Sequence, residues 1–261
     1  MEKIIKKRFE RDLIACLLLI LPFGACSQST GESNNNHQAS TDGEYVLMFD
    51  GQTLRGWEGD TSYWRVEDGK IIGERKASDE PLKRNTFLIW KGGQPADFDL
   101  TLQYKISDAG NSGINYRSEQ LEDTPFALKG YQADIDGKNN YTGQLYEERK
   151  RTTLAYRGQV VEVPDANGGE VKNNAWTGLM VKGTLGEDAK LRAAIKANDW
   201  NTCRIVAKGN SLQHYINGVL MSEVLDNDGK NRRDAGFIGV QIHVGPPMRV
   251  EFRDMKLKIL H

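Results

Sequence analysis

The sequence predicts an all-β domain of two antiparallel sheets packed face to face, and three observations predict it. First, short runs such as "FDLTLQYKIS" alternate apolar and polar residues, the period of a half-buried strand. Second, Asp68-Gly69 and Asn217-Gly218 stand between such runs as tight-hairpin dipeptides. Third, helical periodicity occurs only in "EDAKLRAAIK", with acidic residues early, basic residues late, and Leu191 and Ile195 four apart. One short helix among many strands is the signature of a sandwich.

The chain opens with an address. Lys3, Lys6, Lys7, Arg8 and Arg11 form a basic segment ahead of the apolar run Leu13 to Ala25. That run is shorter than the about 20 residues a membrane-spanning helix needs, and has the length of a signal-peptide core. It ends in "FGAC", which resembles a bacterial lipobox, so residues 1–25 are expected to be removed and Cys26 to carry lipid. Residues 26–44, "CSQSTGESNNNHQASTDGE", hold no large apolar side chain and read as a flexible tether. The expected product is an exported lipoprotein, periplasmic or at the cell surface, touching membrane only through that anchor. With Cys16 removed and Cys26 acylated, Cys203 stands alone in "NTCRIVAKG" and reads as core.

Residues 45–261 have the size of a single sandwich domain. After residue 25 the chain holds 30 basic and 33 acidic residues, a net charge of about −3 that offers nucleic acid no basic field. "YVLMFDG", the hairpin "WRVEDGKIIGE", and "FDLTLQYKIS", with Phe98, Leu100, Leu102 and Tyr104 on one face, open the strand series. "GINYRS", "GYQADID", "NTCRIVAKG", "SLQHYING", "GFIGVQIHV" and "MRVEFRDMKLKIL" continue it. Residues 149–198 hold most of the irregular sequence and are expected to form long loops at one rim.

Four stretches carry candidate chemistry. In "GYQADIDG", alternation puts Gln132, Asp134 and Asp136 on one face and Tyr131, Ala133 and Ile135 on the other. Carboxylates two residues apart lie roughly 6.6–7 Å apart along a strand. That overlaps the roughly 6.5–9.5 Å of inverting glycosidases, and leaning side chains could approach the retaining value near 5 Å, so the spacing selects neither mechanism. In "NSGINYRS", Gly113, Asn115 and Arg117 share a face suited to a polar ligand. The consecutive charges Glu147, Glu148, Arg149, Lys150 and Arg151 read as a solvated face close behind the diacid strand. In "QIHVGPP", Gln241 and His243 share a face before a rigid turn, and an imidazole moves protons readily near neutral pH. No Cys/His metal spacing, phosphate loop or G-x-S-x-G elbow occurs. A divalent cation held by carboxylates stays open, since oxygen-ligand sites leave little trace in sequence.

Taken in order, "LMFDGQTLRGWEG", "WRVEDGKIIGE", "DFDLTLQYKI", "NSGINYRS", "GYQADIDG", "YTGQLYEER", "DWNTCRIVAKGNSLQHYINGV" and "FIGVQIHVGPPMRVEFRDMKLKIL" resemble the 3-keto-disaccharide hydrolase family over nearly all of residues 45–261. The resemblance implies a concanavalin A-like jelly-roll sandwich with a concave, carbohydrate-binding sheet. It implies removal of the acidic C2 hydrogen of a 3-keto-sugar, followed by elimination or net hydrolysis at C1. Oxidation and reduction at C3 would fall to separate nicotinamide-dependent oxidoreductases, so no redox cofactor is required of this chain. By resemblance Asp134 and Asp136 are candidates for base or metal ligand, His243 for the rival proton carrier, and Glu148 for the leaving-group acid. Asn115, Arg117, Gln132, Arg149 and Gln241 would contact substrate. Many relatives have Glu where this chain has Gln132, which leaves the roles among the carboxylates open. Two rivals share the fold: a lectin-like binding module, for which Tyr156 and Trp176 are candidate aromatics, and a laminarinase-like glycosidase acting on unoxidised sugar.

Overall fold

The structure, a computed structural model, describes residues 45–165 and 168–261. The signal segment 1–25, Cys26 and the tether 26–44 lie outside the described residues.

One sheet runs, in spatial order, β14 (Met180–Thr184), β11 (Gln159–Val163), β17 (Val219–Asp226), β16 (Ser211–Ile216), β15 (Asn201–Lys208), β6 (Phe98–Ile106), β19 (Met248–Ile259), β4 (Lys70–Arg75) and β3 (Trp64–Glu67). β1 (Tyr45–Leu47) also pairs with β19. The second sheet runs β12 (Val171–Lys172), β13 (Ala175–Trp176), β10 (Thr152–Ala155), β9 (Leu145–Glu148), β8 (Leu128–Asp136), β7 (Asn111–Gln120), β18 (Phe237–Ile242), β5 (Thr86–Trp90) and β2 (Trp57–Glu58). The architecture is the two-sheet jelly-roll sandwich.

Local chemistry explains the hairpins. Asp68 and Gly69 have φ of 49° and 75°, and Asn217 and Gly218 have 50° and 82°, the doubly left-handed turn that matches strand twist. β6 buries every second residue, including Phe98, Leu100, Leu102, Tyr104 and Ile106, against the other sheet. From that sheet β8 contributes Tyr131, Ala133 and Ile135 to the core, where Tyr131 stacks on Tyr116 with ring centres 5.5 Å apart. Cys203 is buried and unpaired. The single helix α1 (Asp188–Ala193) buries Leu191 and carries Lys190 and Arg192 in its last turn.

Two expectations are corrected. The 149–198 stretch contains the short strands β10 to β14 and α1. It crosses between the sheets three times, after β10, after β11 and after β13, and introduces two parallel pairings, β11 with β17 and β10 with β13, into an otherwise antiparallel sandwich. The charge run is not a solvated face either, because Glu147 and Arg151 are fully buried. Arg151 bonds Glu147 Oε2 through Nε and Asp226 through Nη1 and Nη2, and Asp228 Oδ2 lies 3.4 Å from its Nη1. Tyr131 donates its hydroxyl to Asp226 from β8. The knot ties the second sheet to the end of β17 in the first.

Removing the cation from that knot leaves buried carboxylates uncompensated. Arg151→Met is expected to lower unfolding free energy by about 3–5 kcal/mol, read as a shift of the urea midpoint.

Candidate active site

The polar face of β8 points away from the core, and a cavity of about 420 Å³ opens on that side of the second sheet. Gln132, Asp134, Glu148 and His243 line it, so four of the sequence candidates converge. Each reaches it by strand alternation or by the turn after a strand: Gln132 and Asp134 from β8, Glu148 from β9, His243 just beyond β18.

Amides hold the two carboxyl groups. Gln132 Nε2 donates to Asp134 Oδ1 at 2.6 Å, and Gln144 Nε2 donates to Oδ2. Gln241, fully buried beneath the cavity, donates from Nε2 to Gln132 Oε1 at 3.0 Å and to Glu148 Oε2 at 3.4 Å. Asn85 Nδ2 donates to Glu148 Oε1 at 3.2 Å, while its own oxygen accepts the Val244 N–H. A continuous chain of amides therefore runs from Glu148 through Gln241 and Gln132 to Asp134.

Burial pushes the Asp134 carboxyl up to about 7, partly opposed by the Gln132 and Gln144 hydrogen bonds and reinforced by the charges of Glu148 and Asp136. Burial also raises Glu148, opposed by the Asn85 hydrogen bond and by the Arg149 and His243 charges. Two carboxyl groups shifted upward in one hollow are a recognised mark of acid–base chemistry.

Gly113 makes the amide chain possible. It lies opposite Asp134 on β7, and a Cβ there would sit 2.4 Å from Gln132 Cδ. The Gln132 side chain thus lies flat across β7, through space only glycine leaves open.

Most of the remaining candidates lie outside the lining. Arg117 has φ of 44°, a bulge that breaks the alternation, and its fully buried guanidinium donates to the carbonyls of Ala96 and Gly209 and to Asp97. It clamps the end of the sandwich where β6 begins and β15 turns into β16, and does not reach the cavity. Asn115 keeps the expected strand face but is fully buried beside Ser118. Asp136 turns its carboxylate onto the loop that follows, accepting the N–H groups of Asn140, Tyr141 and Thr142. Arg149 stands beside the cavity with Nε 3.8 Å from Glu148 Oε1. Gln241 supports the site from below. Trp176 packs against the core, whereas Tyr156 does line the cavity.

The structure adds Asn85, Asn111, Tyr141, Gln144, Tyr146, Thr153, Asn173 and Asn174 to the lining. Tyr146 was accessible by alternation from Glu148. Asn85 and Gln144 sit outside any alternating run, and only the folded sheet brings them to the carboxyl groups. Among the described residues no group of three or more His, Cys, Asp or Glu side chains is arranged to hold a metal ion.

Residues 44–258 match the sequence profile of the 3-keto-alpha-glucoside-1,2-lyase-like domain. The chain belongs to that family. A 3-keto-disaccharide hydrolase of Bacteroides thetaiotaomicron is 26% identical over 237 residues, covering 83% of this chain and 78% of the relative. Two solved structures from Parabacteroides distasonis ATCC 8503, both provisionally named glycosyl hydrolases, share the fold. One is 18% identical with a TM-score of 0.52, covering 83% of this chain and 100% of the other. The second is 19% identical with a TM-score of 0.51, covering 83% and 94%. At those identities the two structures speak for the fold. Family membership and the hydrolase relative make this a carbohydrate-active protein of the glycoside-cleaving type.

Two outcomes follow from the site. Because Asp134 binds its proton more tightly folded than unfolded, native stability should fall as pH rises from about 4 to 7, then level off. Asp134→Asn removes that loss, so its stability relative to the natural protein should improve by on the order of 1–4 kcal/mol between pH 4 and pH 8 in urea titrations. Gly113→Ala should displace the Gln132 amide and raise the Asp134 titration further, read by NMR of its carboxyl carbon; an unmoved midpoint would show the amide chain intact.

Proposed function

We propose that this family member cleaves 3-keto-glycosides, with Asp134 as the carbon base and Glu148 as the leaving-group acid. The observation that carries the reading is the Asp134 carboxyl at about 7, in the same hollow as an upshifted Glu148 and tied to it by amides. A base near neutrality combines a useful ionised fraction with real proton affinity.

In the proposed route the C2–H bond breaks and its proton passes to an Asp134 oxygen. The electron pair forms an enolate whose charge rests on the former ketone oxygen. Amide donors lining the cavity, Asn85, Asn111 and Gln144, and the His243 ring are the candidates to stabilise it. The C1–O bond then breaks, and the departing oxygen takes the proton of Glu148. Addition of water at C1, with a proton returned to C2, would yield the 3-keto sugar and complete a net hydrolysis. Release before water adds would make the same chemistry a lyase reaction. A separate nicotinamide-dependent oxidoreductase would supply the ketone. Lipid on Cys26 would place the work outside the cytoplasm.

A 3-keto-glucoside offered in deuterated water should acquire C2 deuterium and release its leaving group. Asp134→Asn should slow both events by about 10²–10⁴. Glu148→Gln should keep C2 exchange while slowing release. Exchange lost in His243→Ala but retained in Asp134→Asn would transfer the base role to the imidazole. Sugar released from unoxidised glycoside without C2 exchange would replace the route with conventional glycoside hydrolysis.

A further inference from the structure

The cavity has a second wall that the proton transfers do not use. Tyr141 is 51% exposed and Tyr156 is 49% exposed, yet both line the hollow that holds Asp134 and Glu148. Two half-exposed tyrosines in one polar pocket place apolar ring surface where an occupant of the site would pack.

Both rings stand on fixed backbone. Asp136 accepts N–H groups from Asn140, Tyr141 and Thr142, the Tyr141 bond at 2.8 Å. Arg157, the neighbour of Tyr156, donates from Nη1 to the carbonyls of Asn139 and Thr142, on either side of Tyr141. Its Nε is held by Asp188 at the start of α1, and Arg192 from the same helix donates to the Lys138 carbonyl. Tyr156 is itself pinned, its N–H donating to Gln159 Oε1 at 2.9 Å. Arg157 therefore links the two tyrosine-bearing turns into one unit. Holding the two turns this firmly lowers the ordering cost of the site they carry.

We propose that Tyr141 and Tyr156 form a platform for the second pyranose ring of a disaccharide substrate, and that Asp136 is its positioning residue. This assignment rests on the glycoside-cleaving reading above. An aromatic face matches the C–H face of a pyranose, and the hydroxyl rim needs amide partners. Asn173 and Asn174, which line the same cavity, supply them, and Asn174 also accepts the Tyr146 hydroxyl at 3.3 Å. That mixture of flat apolar faces and paired amides suits a sugar ring better than a purely aromatic group. The second carboxylate of the diacid strand thereby serves recognition, while the first serves proton transfer.

The test compares a 3-keto-disaccharide with methyl 3-keto-glucoside, which lacks a second ring, and measures binding of the unoxidised disaccharide by calorimetry. Tyr141→Ala and Tyr156→Ala should each lose about tenfold more kcat/KM on the disaccharide than on the methyl glycoside. Each should also weaken calorimetric binding. Tyr141→Phe and Tyr156→Phe, which keep the ring, should restore most of both. Asp136→Ala should reproduce the substrate-selective loss, which general destabilisation would not do. Equal losses on the two substrates, or alanine variants that bind disaccharide like the natural protein, would overturn the platform. If the natural protein cleaves neither keto-glycoside, the catalytic reading fails, and the calorimetric arm still decides the platform.

Discussion

A carboxylate removed from water must find donors or keep its proton, and the candidate site turns on how that demand is met at Asp134. Burial favours the protonated form, while two uncharged amides, from Gln132 and Gln144, partly support the ionised one. A guanidinium in their place would pull the group far down, and an apolar pocket would leave it a weakly ionised acid. The amide cage holds it between those limits. Such a cage requires long polar side chains lying flat on a sheet, and hence a glycine at position 113.

The same logic shows where the cations went. Arg117 satisfies carbonyls at the end of the sandwich, Arg151 neutralises carboxylates between the sheets, and Arg157 and Arg192 hold the turn that carries Tyr141. All four work on architecture. Arg149 approaches Glu148 only to 3.8 Å, at the side of the cavity. A site of upshifted carboxyl groups exists because its arginines are engaged elsewhere, which is a property of the whole fold rather than of the pocket lining.

The long strands β6, β8, β15, β16 and β19, the two left-handed hairpins and the helix were legible because alternation and turn chemistry are local, whereas β5 and the short strands β10 to β14 were not. Gln132, Asp134, Glu148 and His243 were legible because each shares a face with a neighbour two residues away or belongs to a quoted polar run. What stayed hidden depends on backbone excursions that a residue string does not announce. The bulge at Arg117 reverses a side chain that plain alternation sends toward the ligand. The loop after β8 captures Asp136 through its own N–H groups, a demand visible only once the turn has closed. The charge run from Glu147 to Arg151 misled because burial of an ion pair depends on partners such as Asp226, 75 residues further along the chain.

An amide-built site also bears on the kind of bond cleavage it suits. Direct departure of a leaving group from an unoxidised sugar builds positive charge on the ring, and an ionised carboxylate close by is the natural stabiliser. Here burial raises the Asp134 carboxyl to about 7, so near neutrality the hollow carries less negative charge than two ordinary carboxylates would, and burial shifts Glu148 in the same direction. Its lining carries the amides of Asn85, Asn111 and Gln144, of which Asn85 and Gln144 each already give one N–H to a carboxyl group. Donors of that kind favour negative charge developing on oxygen, as in an enolate, over positive charge developing on the ring. Amides of that kind are what the proposed carbon-acid route would use to hold an enolate oxygen.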